Sequence, residues 1–495
     1  MWVRRRQQPR ATITRDHGRS RVVRRAGRPP AGGLISWTTL ALLTVGSVGN
    51  LGSAPALAVL GLASVFLYVL PALVFLLPVT LVAAELASGW PGGVYHWVEE
   101  GISAPMGLLA VWCEFAQTIF FYPALLAYVA DTLAYVIDPR LAGNGVFTAV
   151  IIIVLFWGGV LLTSRGVRFV ADLSSFGTRA GTLIPGAILV ALGVAYLLQG
   201  NHPAAPMTAQ HLLPPWHGLA SIVLVVNSFF TYAGIEVNAV HVNELRNPAR
   251  DYPKSIFLAM ALVLAVFILS TLAISWVVPS HQIGFTTGVM QAFKSLLTHF
   301  GLRFALPLLG IALAVGALAG MITWLDGPSE GLLRIGRERG FLPPYFQKVN
   351  RQGIELRILA AQGTVITLIA LLYAFIPNVS RAFWIFTAMA TQVYLIMYVL
   401  MFIAAMRLRR SQPEHQRGYR VPALGLLGLL GIVSCVAAFV IGFIPPSQFG
   451  HSSPLGYGAL ILGGILAIGI LPPLLLDRLR KPGWKTAGGE TAPQQ

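Results

Sequence analysis

Apolar runs of about 20 residues or more recur along nearly the whole chain, and they limit the possible fold more than any other feature. A run of that length can cross the hydrocarbon core of a bilayer as a helix. The runs are continuous and do not alternate with period two, which excludes a transmembrane β-barrel. The 495 residues are 56% hydrophobic and only 11% charged, whereas a soluble protein carries about 25% charged residues. The sequence therefore predicts an all-α polytopic membrane protein.

Twelve transmembrane helices are predicted, with a tight turn near Pro55 dividing the first two. They lie at about 34–58, 60–86, 106–137, 146–164, 173–198, 217–243, 254–278, 303–333, 357–375, 382–406, 422–444 and 455–476. The predicted organisation is a basic N-terminal tail at 1–33, a first five-helix repeat at 34–198, a second at 217–406, helices 11 and 12 at 422–476, and a short C-terminal tail at 477–495.

The net charge of +17 raises the alternative of nucleic-acid binding, but the distribution of the charges argues against it. Ten arginines precede the first span. If that tail is cytoplasmic, 31 of the 35 basic residues lie on the cytoplasmic side, and Arg140, Lys294, Arg303 and Arg381 lie outside. This asymmetry follows the positive-inside rule. We expect a multi-pass protein of the cell inner membrane with both termini in the cytoplasm, no nucleic-acid partner, and a tail attracted to membrane lipid.

Two of the predicted spans are interrupted by polar and glycine-rich sequence. Span 1 is broken at 45–53 and span 6 at 232–237, where a glycine and a carboxylate stand at mid-span. Bare backbone in hydrocarbon loses its hydrogen bonds, and a charge there costs about 2.5–3.5 kcal/mol. A short non-membrane helix is predicted after span 2 and another after span 7. These matching positions predict a five-plus-five inverted repeat, with discontinuous helices 1 and 6 and a binding site between them.

The interrupted spans supply most of the candidate substrate-binding residues. Freed N–H groups of a broken helix can bind a carboxylate, and freed C=O groups can bind an ammonium, so an amino acid zwitterion suits both. The alternatives are that the glycines serve helix packing and that the tryptophan is an ordinary packing aromatic. The candidates are Gly46, Ser47, Gly49, Asn50, Gly52, Tyr232, Gly234, Glu236 and Trp324.

Ionisable residues within spans are candidates for proton coupling or gating, since charge at membrane depth is rarely retained without a role. Glu236 suits a proton-linked step because it lies in the break, whereas a helix-end contact explains Glu85 equally well. His241 is a possible titratable gate. The candidates are Glu236, Glu114, Asp326, Glu85 and His241, with further acids at Asp131 and Glu330.

The chain contains no metal-ligand cluster, no phosphate-binding glycine loop and no nucleophile elbow. Cys113 and Cys435 both fall within predicted spans, so neither a disulfide framework nor a thiolate metal site is expected. We therefore expect no cofactor, no metal and no enzymatic activity. A sensor is also disfavoured, because the loops are too short for a soluble output domain.

Several segments resemble the amino acid/polyamine/organocation transporters, and most closely the glutamate:GABA antiporter family. They cover residues from about 36 to 476, and the run from His241 to Pro253 is the most specific. The segments are Leu81–Ala87, Gly92–Val94, Gly234–Glu236, His241–Glu244, Asn247–Pro253, Gly288–Gln291, and Trp324 with Gly327–Ser329.

The resemblance implies exchange of a glutamate-like amino acid for its GABA-like decarboxylation product by alternating access, without sodium coupling. A cytoplasmic decarboxylase would consume the proton, in a cycle that serves acid resistance. Glu236 and Trp324 would line the route.

The alternative on the same fold is a proton-coupled uptake carrier for an amino acid or polyamine. Small residues at 49–54 and the additional acids depart from the family pattern and leave a cationic substrate open. The short C-terminal tail predicts no sharp pH gating by a terminal plug.

Overall fold

The computed structural model describes residues 35–48, 51–166, 173, 176–177, 179–216, 218–375, 378–449 and 453–486. Within these residues the regular structure is helical, apart from one isolated bridge between Ile35 and Leu245. We number the α-helices in chain order: α1 Trp37–Val48, α2 Ala54–Ala58, α3 Ala63–Gly89, α4 Val94–Gly101, α5 Ala104–Ile137, α6 Gly145–Thr163, α7 Arg179–Leu198, α8 Val225–Tyr232, α9 Pro248–Val277, α10 Gly288–His299, α11 Leu306–Arg339, α12 Leu356–Tyr373, α13 Val379–Ser411, α14 Leu424–Ile441 and α15 Pro454–Leu479.

Ten helices of the described residues are long and apolar enough to cross a membrane. They are α3, α5, α6, α7, α9 and α11 to α15. The two predicted spans that are absent from this set are 34–58 and 217–243, which are the spans predicted to be broken. The prediction of an all-α multi-pass membrane protein is confirmed. A count of twelve follows when each interrupted segment is counted as one crossing.

The first interrupted segment consists of two helices in succession. α1 ends at Val48, a short 3-10 turn covers Leu51–Ser53, and α2 follows at Ala54. Gly49 and Asn50, two of the predicted binding residues, lie outside the described residues. The turn into α3 occupies 59–62 rather than the predicted position near Pro55. That proline lies in the first turn of α2, where its missing N–H costs no hydrogen bond.

The second interrupted segment breaks where the sequence predicted it. α8 ends at Tyr232, Ala233 is extended, and Gly234 has a φ of 92°, in the left-handed region that glycine adopts without strain. The chain then continues as a 3-10 helix over Ile235–Glu244. The short helices α4 and α10 follow α3 and α9, so the breaks and the surface helices occupy corresponding positions in the two halves.

The two broken segments are held together within the helix bundle. Near the side that the charge count assigns to the cytoplasm, called the inner side below, the Ile35 N–H donates to the Glu244 carbonyl at 3.2 Å. Farther along, Asn227 Nδ2 donates to the Ser53 carbonyl at 3.0 Å. Around them, α5 packs along both α11 and α13, and α1 packs against α9. The two breaks therefore meet inside the protein, as mid-membrane irregular backbone requires.

Candidate functional site: a cavity between two broken helices

A cavity of about 300 Å³ lies where the two broken segments meet. Its size falls at the lower end of the range for small-molecule sites. The lining residues come from the first broken segment, α5, the α8 break, α11 and α13. They are Val48, Ser53, Glu114, Gln117, Phe121, Leu125, Phe230, Thr231, Ala233, Gly234, Val237, Gly316, Ala317, Gly320, Thr323, Trp324, Gly327, Pro328 and Tyr394. We call this space the central cavity.

Trp324 packs directly on the backbone of the second break. A Cβ added to Gly234 would collide with the Trp324 ring, so only glycine permits this approach as well as the left-handed φ. The same indole lies perpendicular to the ring of Tyr394, with the centroids 6.4 Å apart. The sequence analysis placed Gly234 and Trp324 in one site, and the structure brings them into contact at the cavity wall.

Glu236 lies two residues beyond the break and is 1% exposed. Its carboxylate accepts hydrogen bonds from Tyr394 Oη at 2.7 Å and from Tyr398 Oη at 2.6 Å. The Tyr398 hydroxyl in turn accepts from the Gly234 N–H at 2.8 Å. Among the described residues, no basic side chain forms an ion pair with Glu236. This carboxyl group is therefore held by neutral donors, directly beside the helix break.

A second cavity of about 360 Å³ opens on the inner side of the first. Glu114, Val237 and Gly327 border both spaces, so these three residues form the boundary between them. Glu236 borders this inner cavity. Besides Glu114 and Glu236, its charged or titratable lining residues are Tyr95, His96, Glu330 and Arg334. The two cavities are therefore neighbours, and together they mark a candidate route from the helix breaks towards the inner side.

Ion pairs on α4 and on the inner end of α11 lie beside the inner cavity, one between the two helices and one within α11. Arg339 Nη2 lies 2.9 Å from the Glu99 carboxylate, and Arg334 Nε lies 3.0 Å from that of Glu338. The His96 ring lies between the two acids, at 3.7 Å from Glu99 and 3.6 Å from Glu338.

The opposite side of the central cavity is much narrower. A space of about 30 Å³ there is lined by Gly52, Ser53, Tyr128, Phe230 and Phe383, among others. Four of the ten residues that line this space are aromatic: Phe121, Tyr128, Phe230 and Phe383. The structure thus has more open volume on the inner side of the break than on the outer side.

Glu85, a predicted gating residue, borders none of the three spaces. It is 2% exposed at the inner end of α3, where both oxygens accept from the Arg409 guanidinium and one also accepts from the Val421 N–H at 2.8 Å. Arg417 Nε lies 3.5 Å away. Burial lowers the pKa of the Arg417 guanidinium, and the charge of Glu85 opposes that effect. This arrangement fits the helix-end contact that the sequence left open.

Other predicted residues are placed away from the cavity or are not described in full. His241 pairs with Glu244 at 3.0 Å, and both side chains are exposed. The Tyr232 hydroxyl donates to the Tyr68 carbonyl at 2.9 Å, which gives it a packing role at the break. Asp131 accepts from the Gly143 N–H at 2.7 Å, at the outer end of α5. The surroundings of Gly46 and the side chains of Ser47 and Asp326 lie outside what the structure describes.

The sequence analysis missed the tyrosines that hold Glu236 and the aromatic residues of the cavity wall. Tyr394 and Tyr398 are four residues apart and so share one face of α13, a spacing that is visible in the sequence. Phe121 and Phe230 were not distinguishable from packing aromatics, because their position at a cavity depends on contacts between α5 and α8.

Comparison with known proteins places the chain among transporters. The family model described as "Amino acid permease" matches residues 35–466. An uncharacterised transporter of Legionella pneumophila is 33% identical over 89% of this chain and 96% of its own length. A glutamate/gamma-aminobutyrate antiporter of Lactococcus lactis is 27% identical over 90% of each chain. A probable agmatine/putrescine antiporter of the same species is 24% identical over 86% of this chain and 91% of its own.

Proposed function

This chain belongs to the amino acid permease family, and on that premise we propose that it exchanges a glutamate-like amino acid for its GABA-like decarboxylation product by alternating access. It is an amino acid transporter in a multi-pass membrane fold. The observation that carries the proposal is the central cavity at the two helix breaks. Residues at the ends of α1 and α8, among them Val48, Ala233 and Gly234, line this substrate-sized space. Such breaks suit an ammonium and a carboxylate together.

The names of the relatives support exchange rather than simple uptake. Two of the similar proteins are described as antiporters, one of glutamate and gamma-aminobutyrate and one of agmatine and putrescine. We place this chain in the cell inner membrane with both termini cytoplasmic, on the strength of the positive-inside rule. The product would be supplied by a cytoplasmic decarboxylase, which is the functional partner of the cycle.

A proton-coupled uptake carrier for an amino acid or polyamine is the second candidate. The observation that favours it is the environment of Glu236, which is buried and bonded to two hydroxyl groups without a described cation. A carboxyl group in that setting is suited to carry a proton as the cavity opens to one side and then the other. Exchange and proton-coupled uptake differ in what drives net movement, so one transport assay separates them.

Counterflow in proteoliposomes tests the proposal. Vesicles that hold the purified protein are loaded with unlabelled GABA or glutamate, and entry of labelled glutamate is followed. We expect accumulation in loaded vesicles and little in empty ones. Equal uptake into empty vesicles under an imposed proton gradient would replace exchange by the uptake carrier. A competition panel of unlabelled amino acids and amines then identifies the substrate.

A further inference from the structure

Glu114 lies at the boundary of the central and inner cavities, and no basic side chain of the described residues forms an ion pair with it. It borders both spaces. Its carboxylate makes no hydrogen bond or ion pair with any residue in the described ranges. Glu236, by contrast, is already bonded to Tyr394 and Tyr398. Of these two acids, Glu114 alone offers both carboxylate oxygens to a molecule in the cavity.

A second acceptor lies one helical turn away on α5. Gln117 also borders the central cavity, is 2% exposed, and its Oε1 atom has no hydrogen-bond partner. A buried acceptor without a partner is destabilising, so an occupant that donates to it removes part of that cost. Residues three apart on a helix share a face. Glu114 and Gln117 therefore present acceptors to the same part of the cavity, where an alkylammonium group would supply three N–H donors.

The remaining wall also suits a cation. Four aromatic residues border the central cavity, in two pairs: Phe121 with Phe230 at 5.4 Å between centroids, and Trp324 with Tyr394 at 6.4 Å. Aromatic faces attract ammonium groups, by about 2 kcal/mol or more when water is excluded. No lysine, arginine or histidine occurs among the described lining residues of this cavity. An anionic group there would meet Glu114 without compensation.

The two exchanged molecules of the proposed function differ in charge at this point. Decarboxylation replaces the α-carboxylate by hydrogen, so the amine is one unit more positive than the amino acid. Both carry the ammonium group, but in the amino acid a carboxylate stands one carbon away from it. An unpaired acid in an apolar cavity is costly until an opposite charge arrives. The amine satisfies Glu114 without bringing a second negative charge towards it.

We propose that Glu114, with Gln117, forms an ammonium subsite that binds the decarboxylated amine in preference to the parent amino acid. This inference rests on the proposed exchange and adds a residue that sets its specificity. Because Glu114 also borders the inner cavity, the subsite is accessible on the side from which the product enters. The amine loads there, and the amino acid uses the helix breaks for its α-carboxylate.

The test is Glu114→Gln in proteoliposomes, with the half-saturating concentration measured for each substrate in turn. We expect the concentration required for GABA to rise at least about tenfold, because a hydrogen bond to a charged group contributes about 1.5–3 kcal/mol. The value for glutamate should change less than about threefold. Glu100→Gln, an exposed acid on α4 outside the lining of both cavities, is the matched control and should change neither value. Equal effects on both substrates, or no effect, would overturn the proposal.

A binding measurement separates this proposal from the proposed exchange. Butylamine and butyrate are added to purified protein in detergent, and the shift in unfolding temperature is recorded, since a ligand stabilises the state that it binds. Butylamine should stabilise the wild-type protein, Glu114→Gln should remove that shift, and butyrate should give little shift with either. This outcome would preserve the subsite even if counterflow failed. Glu114→Asp, which keeps the charge, should retain part of the shift. A butylamine shift that survives Glu114→Gln would remove the subsite even if exchange were observed.

Discussion

Glu85 and Glu236 are buried to almost the same extent, at 2% and 1% exposed, yet their surroundings are opposite. Glu85 is bonded to Arg409, lies near Arg417, and accepts from the backbone of Val421. Glu236 accepts from the hydroxyls of Tyr394 and Tyr398, and no basic side chain of the described residues forms an ion pair with it. Burial alone therefore does not identify a functional acid in this protein. The charge of the partners separates an acid that fixes the structure from one that is free to change its state.

The two acids also act on different parts of the fold. Glu85 ties the inner end of α3 to α13 and to the segment that follows it, so it fixes elements that would separate if the inner side opened. Glu236 lies beside the irregular backbone between α8 and the 3-10 helix, at the wall of the inner cavity. The predictions below test whether stability depends on the first acid and transport on the second.

The largest effect is expected from Glu85→Gln. Removing one partner of a buried ion pair costs about 3–5 kcal/mol because the other charge stays buried. We expect the lower end, since the Arg409 side chain is 21% exposed and keeps some solvation. The free energy of unfolding in detergent should fall by about 3 kcal/mol.

A double-mutant cycle with Arg409→Gln checks the origin of that loss. If the pair carries it, the double variant should be more stable than the sum of the two single changes implies. Additivity within about 0.5 kcal/mol would mean that the two residues are not coupled. The same cycle also gives the coupling energy, which the contacts alone do not.

Glu236→Gln should have the second largest effect, on transport rather than on stability. The amide keeps the size of the side chain and one acceptor oxygen but loses the negative charge, and a hydrogen bond to a charged group contributes about 1.5–3 kcal/mol. We expect exchange to slow by roughly 10- to 100-fold. The residual rate should no longer depend on pH between about 5 and 8, the range in which a proton-linked step would titrate.

The unfolding temperature of this variant should stay close to that of the wild-type protein, because no arginine is left unpaired. Wild-type kinetics over the same pH range would remove Glu236 from the mechanism. A collapse of stability equal to that of Glu85→Gln would erase the distinction between the two acids.

The smallest expected effect is the difference in exchange rate between the Tyr398→Phe and Tyr394→Phe variants. The Tyr398 hydroxyl bonds both Glu236 and the Gly234 N–H, whereas the Tyr394 hydroxyl bonds Glu236. Loss of the Tyr398 hydroxyl should therefore slow exchange more than loss of the Tyr394 hydroxyl. The difference is one further hydrogen bond of about 1 kcal/mol, which corresponds to roughly fivefold in rate. Initial exchange rates of the two variants measure this difference. Equal rates would mean that the contact to the break contributes nothing.

The sequence predicted the helical membrane class and the location of the second break, because both depend on local properties. Length and hydropathy of a run determine whether it crosses a bilayer, and a glycine beside an acid at mid-span marks irregular backbone. The proximity of Gly234 and Trp324 also followed from the family resemblance. The predicted position of the turn between the first two spans, near Pro55, was wrong by several residues. Proline is acceptable in the first turn of a helix as well as in a turn between helices.

The division of the acids into paired and unpaired groups was not predictable in this way. Before folding, Glu85, Glu114 and Glu236 are all single acids within apolar runs. The glycine near Glu236 marks a helix break, but no neighbour in sequence shows which of the three acids will acquire a charged partner. Glu85 acquires Arg409 from the end of α13 and Arg417 from the segment that follows it, whereas Glu114 receives no partner from the described residues. Such contacts arise only when distant helices pack.

By itself, the sequence determined that this chain is a helical membrane protein with two interrupted spans, because hydrophobicity and backbone freedom are encoded residue by residue. The tertiary structure decided which acid is neutralised and which faces the cavity. Arg409 is 324 residues from Glu85, and Tyr394 is 158 residues from Glu236. Such partners determine whether an acid at membrane depth is neutralised, because water is not there to solvate its charge.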